Sequence, residues 1–312
     1  MNKFLKSVAL GSLLLSFPLA CSASTFVKFK WPTPGTVGVS ETVLKKGKTA
    51  KIHYDIAWQK DEKENAINLK YHNFKILELD GMDLSKEENQ KTNQKVIDMM
   101  TAVESSMPTL VIGANGEAKD VVGLDETIDR ALELMPSKSA EDLKLLKEFL
   151  KSPQMENQIK QKSLEVWRLW VETWLNCAPA EGKEGLLDVE IPVGAATFIS
   201  KVKVKNLGES KEYPGCFKFV ADGSFEGEEA RKQFAEMMVQ LVSRIPQKEG
   251  VKPFSKDMVQ EVSRSTHLEV VINPKTAQPQ TASAHSDIHL KIDDKNKDSV
   301  EHHDYLFEWA KK

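Results

Sequence analysis

The spacing of apolar residues changes along the chain, and each change marks an element. From residue 36 onward the period is two. Ile52, Tyr54, Ile56 and Trp58 alternate with Lys51, His53, Asp55 and Ala57, which predicts a strand with one buried face. "LKKGK" before it, carrying Gly47, and "QKDEKEN" after it read as polar turns. Ile67, Leu69 and Tyr71 start a second strand whose apolar phase shifts near Asn73, which predicts a bulge before the run ends at "LELDG". The period then lengthens. Ser85 and Glu88 form a capping box, and Val96, Met99, Met100, Val103 and Met107 fall at helical spacing until Pro108 stops the run. "PTLVIGANGEAKDVVGL" follows as strand, turn and strand, because Asn115-Gly116 suits a turn that needs positive φ twice. Residues 25–34 read as an extended lead-in. At the other end Tyr305, Phe307 and Trp309 alternate as a last strand, with a short helix as the alternative.

The same order of events occurs a second time. Gly47 and Ile52 match Gly194 and Ile199, and Asp80-Gly81 matches Asp222-Gly223. Met99, Met100 and Pro108 match Met237, Met238 and Pro246, and Leu110 matches Leu268 beyond an insertion around 247–266. Such an ordered set predicts two related units, 35–124 and 183–293. Two meanders that share turn residues for local reasons are the alternative. The segment 125–178 between them reads as helix. Ser139 and Asp142 can cap "AEDLKLLKEFL", and Pro153 suits the first turn of the next helix. Leu164, Trp167, Val171 and Trp174 then share one face, with Trp170 beside them. The expected fold is α+β: two related units of antiparallel β-meander, helix and hairpin, joined by a helical segment and followed by a strand or short helix in 294–312.

The first residues say where the protein goes. "MNKFLKSVALGSLLLSFPLACSAS" has a basic start at Lys3 and Lys6, an apolar core from Val8 to Phe17 and small residues after it. This is the pattern of a secretory signal over 1–23, too short to span a membrane. "PLAC" is similar to a bacterial lipobox, so Cys21 is a candidate for lipidation, while cleavage after Ala23 would remove it. Either fate leaves Cys177 and Cys216, an even pair in an oxidising compartment, and a bridge between them is expected, with two buried thiols as the alternative. The destination is the periplasm or, for a lipidated chain, the outer membrane. With 43 basic and 46 acidic residues and no basic cluster, the chain carries no footprint for nucleic acid.

Motifs for chemistry are few. His285, Asp287 and His289 point to one side of a predicted strand and could offer a metal an N/O face. Ala282, Ala284, Ser286, Ile288 and Leu290 form the apolar side, so the histidines occupy the ordinary solvent side, and no metal site is assigned. The adjacent His302 and His303 diverge on a strand. Ser200 and Lys203 satisfy S-x-x-K, but strand spacing faces them apart, and no nucleophile elbow, zinc-protease helix or phosphate loop is found. Neither a cofactor nor a catalytic residue is assigned. The remaining feature is the indole stripe. Trp167, Trp170 and Trp174 beside two methionine-rich helices could line an apolar cavity, although stripes at helical spacing are usually core.

The stretch 35–125, and above all "LVIGANGEAKDVVGL", resembles secreted bacterial lipoproteins of unknown function of the DUF6263 type. The layout of strands around a helix also looks like the half-barrel of lipoprotein carriers. The resemblance implies an exported envelope protein and transfers no functional residue. The leading expectation is a non-catalytic binding or scaffolding lipoprotein with an envelope partner. The alternative is a periplasmic carrier of an apolar ligand, a lipid or acyl chain.

Overall fold

The computed structural model describes residues 26–104, 107–133, 139–193, 196–243, 254–293 and 295–309. The signal segment with Cys21, Gly194 and Pro246 lie outside the described residues, as do the side chains of Met99 and Met100. The strands are β1 (Gly35–Lys45), β2 (Lys48–Asp61), β3 (Ala66–Leu79), β4 (Met82–Asp83), β5 (Thr109–Gly113) and β6 (Ala118–Val122), then β7 (Glu184–Val193), β8 (Ala196–Glu209), β9 (Phe217–Glu226), β10 (Val259–Asn273), β11 (Gln278–Ile292) and β12 (Lys295–Trp309). The helices are α1 (Glu87–Glu104), α2 (Leu124–Glu133), α3 (Ala140–Leu150) and α4 (Pro153–Trp167). A π-helical turn, Arg168–Glu172, leads into α5 (Thr173–Cys177), and α6 (Gly227–Ser243) comes last.

All twelve strands form one antiparallel sheet in the order β6-β5-β3-β2-β1-β12-β11-β10-β9-β8-β7, with β4 beside β3. This corrects the expected α+β fold. Strand takes 50% of the chain and helix 28%, so the protein is β-rich, and no helical segment joins two separate sheets. The reason lies in β12. It pairs with β11 on one side and with β1 on the other, so neither half keeps a free edge there. Instead the end of α4, the π turn and α5 lie on the sheet, while α2 and α3 pack on each other in a smaller apolar cluster. Each half threads it alike: a three-stranded meander, a helix, then a strand beside the meander's last member. Individual matches differ. Asp80 and Gly81 make a turn with φ of 46° and 80°, whereas Asp222 and Gly223 sit inside β9. Leu110 follows the first residue of β5, whereas Leu268 lies mid-strand in β10, which begins within the presumed insertion.

Local chemistry sets the details. In β3 the partners jump from His72 opposite Asp55 to Lys75 opposite His53, so Asn73 and Phe74 form the extra pair at a bulge, with Asn73 at φ 54°. The bulge brings Tyr71 and Phe74 to the same neighbour, Tyr54, at ring distances of 5.7 and 6.0 Å. Across the sheet, Val37, Val39, Ile56, Leu69, Val270 and Ile272 are buried on one face, beneath α4, the π turn and α5. The lead-in is part of this core. Lys28 and Lys30 N–H groups donate to Pro274 and Thr276 carbonyls, and Trp31 stands 4.7 Å from Trp58, 5.1 Å from Trp167 and 5.1 Å from Trp309, ring to ring.

The β5–β6 hairpin locks the helix to this cluster. Its Gly116 has φ 88°, and its carbonyl accepts the Trp167 Nε1–H at 2.9 Å. A Cβ on Gly116 would stand 2.5 Å from Leu175 Cδ1 and 2.7 Å from Phe29 Cγ. Glycine is required twice here, for backbone conformation and for space. Gly116→Ala is expected to lower the urea midpoint by more than the ~1 kcal/mol of backbone strain alone. A variant as stable as the parent would refute the close approach.

Candidate functional site

The indole stripe is packed, not open. Trp167, Trp170 and Trp174 are among the most deeply buried side chains. Trp170 meets Phe307 edge-on at 5.1 Å and Tyr305 at 5.3 Å, and Trp174 meets Phe219 at 5.9 Å. The Trp174 Nε1–H donates to the Leu169 carbonyl at 2.6 Å, whereas the Trp170 Nε1–H has no partner among the described residues. Met237 and Met238 on α6 belong to a different apolar cluster, with Phe234, Val259, Val262 and Leu290. The α6 methionines thus stand apart from the indoles, and the side chains of Met99 and Met100 lie outside the described residues. Trp167→Ala is expected to cost about 3–5 kcal/mol in urea unfolding, since burial is lost and a void is left. Near-neutral stability would mean that the indole already bordered a space.

The other expected residues are dispersed. Cys177 and Cys216 are both buried and are not joined by a disulfide, so the expected bridge is corrected. Cys177 ends α5 within the main core, while Cys216 precedes β9, where burial and Glu209 push its thiol above its ordinary value. Lys203 pairs with Glu184 at 3.0 Å, across the β7–β8 ladder. His289 lies between Asp298 (2.6 Å) and Glu261 (3.3 Å), apart from the pairing of His285 with Asp287. Among the described residues no group of three or more His, Cys, Asp or Glu stands ready to hold a metal ion.

What sequence reading missed is a polar row under the helices. Thr266, Ser286, Glu301 and Lys45 stand opposite one another on β10, β11, β12 and β1, on the covered face. Of the six buried polar side chains among the described residues, four belong here: Arg264, Thr266, Ser286 and Glu301. A signal existed. Arg264 shares the phase of Val262, Leu268 and Val270, and Glu301 and His303 share that of Tyr305 and Phe307, so each places a charge on the apolar side of its strand.

The row is a chain of ion pairs with one open end. Glu301 Oε1 accepts from Lys45 Nζ at 2.8 Å and lies 3.0 Å from His303 Nε2. His303 Nδ1 lies 2.7 Å from Glu41 Oε1, and the Tyr54 hydroxyl donates to Glu41 Oε2 at 3.3 Å. Burial opposes charge on Glu301, but the bonds from His303 and Lys45 outweigh it and hold the carboxyl down at about 2. Burial likewise opposes charge on His303, yet Glu301 and Glu41 hold the imidazolium up at about 9. Arg264 is lowered to about 10 by burial, with Glu165 and Glu301 opposing, and stays charged at neutral pH. Its Nε–H donates to Ser286 Oγ at 3.1 Å, and Nη2 has no hydrogen-bond partner among the described residues. Glu165, on α4 above it, is pushed by burial to about 8 against the pull of Lys162, Arg264 and Arg168.

These shifts set a pH profile. Folding raises the proton affinity of both Glu165 and His303. Their contribution is complete below the unfolded values and is lost as pH rises through about 8 and about 9. Glu301 acts oppositely, losing its contribution as pH falls through the ordinary carboxylate range toward about 2. Urea stability is expected to be highest near pH ~5–6 and to decline toward alkaline pH, with Glu165→Gln flattening the part below about 8. An unchanged slope in that variant would remove Glu165 from the account.

No family model and no curated protein matches the chain. Solved structures align weakly. A lipovitellin structure concerned with lipid–protein interactions matches 89% of this chain and 25% of that one, at 8% identity and TM-score 0.44. A receptor binding domain matches 89% of this chain and 82% of its own, at 8% identity and TM-score 0.15. This chain thus spans a quarter of the lipovitellin chain, and neither likeness is close enough to carry an argument.

Proposed function

We propose that the protein is an exported, non-catalytic binding protein, with Cys21 as its candidate lipid anchor, that holds an anionic amphiphile on the covered face of its sheet. One observation carries the reading: the charged, buried Arg264 has an Nη2 group without a hydrogen-bond partner among the described residues. A buried donor left without a hydrogen bond is costly, and such a group calls for an acceptor. The neighbours do not supply one. Glu301 is engaged by Lys45 and His303, and Glu165 holds its proton at neutral pH. An anionic head of carboxylate or phosphate type matches the guanidinium fork. The neighbouring apolar cluster of Val262, Leu290 and the α6 residues Phe234, Met237 and Met238 is buried, so an acyl tail enters only where α6 parts from the sheet.

The test is titration of the full chain with a fluorescent fatty acid, beside the matching fatty alcohol. Saturable binding of the acid is expected, with the alcohol weaker, and Arg264→Gln should weaken the acid by about tenfold or more. Ser286→Ala, a milder change at the same contact, should weaken it less while keeping the fold, as checked by circular dichroism. Absence of saturable binding, or equal binding by Arg264→Gln, would overturn the proposal and favour the scaffold.

A further inference from the structure

The face of the sheet turned away from the helices has its own chemistry, independent of the amphiphile reading. His267, His285 and His302 stand opposite one another on β10, β11 and β12, and Asp222 on β9 continues the row. Directly opposed residues share a face, with Cα atoms about 4.5–5.5 Å apart. The rings of His285 and His302 are in contact, centroids 5.3 Å apart at 76°. Each also leans one nitrogen on a carboxylate two residues along its own strand. His285 Nε2 lies 3.0 Å from Asp287 Oδ2, and His302 Nε2 lies 2.9 Å from Asp304 Oδ1.

That contact decides the tautomer. A carboxylate at Nε2 holds the proton there and leaves the lone pair of the neutral ring on Nδ1. Neither Nδ1 has a partner among the described residues, and both rings are over a third exposed, so an ion has a path to them. The distance also fits. Two imidazoles bound side by side to one ion at the usual metal–nitrogen length have centroids roughly 4.5–5 Å apart.

We propose that His285 and His302 chelate a divalent late transition-metal ion through their Nδ1 atoms, with Asp287 and Asp304 orienting the rings. Water completes the coordination, so the ion is exchangeable and the site is not a closed structural one. Two imidazole donors favour Cu2+ over Zn2+. His267 lies beyond His285 in the row and turns its Nδ1 to Asp222 at 2.6 Å, which makes it the control.

The experiment is a Cu2+ titration of the full chain, produced without an affinity tag, followed by calorimetry and pulsed electron paramagnetic resonance. One tightly bound Cu2+ with two coupled imidazole nitrogens is expected. His285→Asn and His302→Asn should each weaken it by about tenfold or more and leave one imidazole, while His267→Asn should match the parent. All three positions are exposed, and circular dichroism checks that the variants fold. No stoichiometric binding, or equal binding after both substitutions, would overturn the proposal.

Discussion

A single sheet of twelve strands has more apolar surface on one face than its own turns can cover, and the tryptophan helix is what covers it. Trp167, Trp170 and Trp174 insert where the two halves of the chain meet, against residues of β9 and β12 and the lead-in. Trp31 joins this packing to Trp58 and Trp309, so residues far apart in sequence share one aromatic contact network. Edge-to-face pairs contribute about 0.5–1.5 kcal/mol each beyond burial. The larger effect is geometric, because these rings fix where the helix lies and therefore what it leaves uncovered.

The polar row is a consequence of that cover. The tryptophan helix and α6 pack on the same face in separate apolar clusters, and Arg264, Ser286 and Glu301 lie on the strands that run beneath both. Replacing such a buried ionic set by apolar residues is often neutral or stabilising, so its presence is poor evidence for stability. Among the described residues the network joins Lys45, Glu301, His303 and Glu41 and leaves the Arg264 Nη2 without a hydrogen bond.

Much of the architecture was legible in local pattern, and the rest was not. Period two gave β2, whose Ile52, Tyr54, Ile56 and Trp58 are all buried, and the phase shift at Asn73 gave the bulge. The alternation of Tyr305, Phe307 and Trp309 gave β12. None of these says which strand lies beside which. The pairing of β12 with β1 joins residues near 300 to residues near 40, and local periodicity contains no information at that separation. That pairing decides between one sheet and two. The same gap hid the polar row, whose members come from four strands and one helix, and left the extended lead-in unrecognised as core.

His302 and His303 show how finely the fold divides chemistry. They are adjacent, yet period two sends His303 under the helices, between two carboxylates, and His302 to the outer face beside another histidine. The carboxylates of Glu301 and Glu41 hold the first as a cation against the cost of burial, and it neutralises them in turn. The second keeps one ring nitrogen free at a part-exposed surface. One strand therefore supplies a fixed interior charge and an exterior donor from neighbouring residues. A register slip of one residue in β12 would exchange them, placing His302 in the core and breaking both rows at once. The core rings of Tyr305 and Phe307 on the same strand would be expelled by the same slip, so the aromatic packing is what keeps each histidine on its own face.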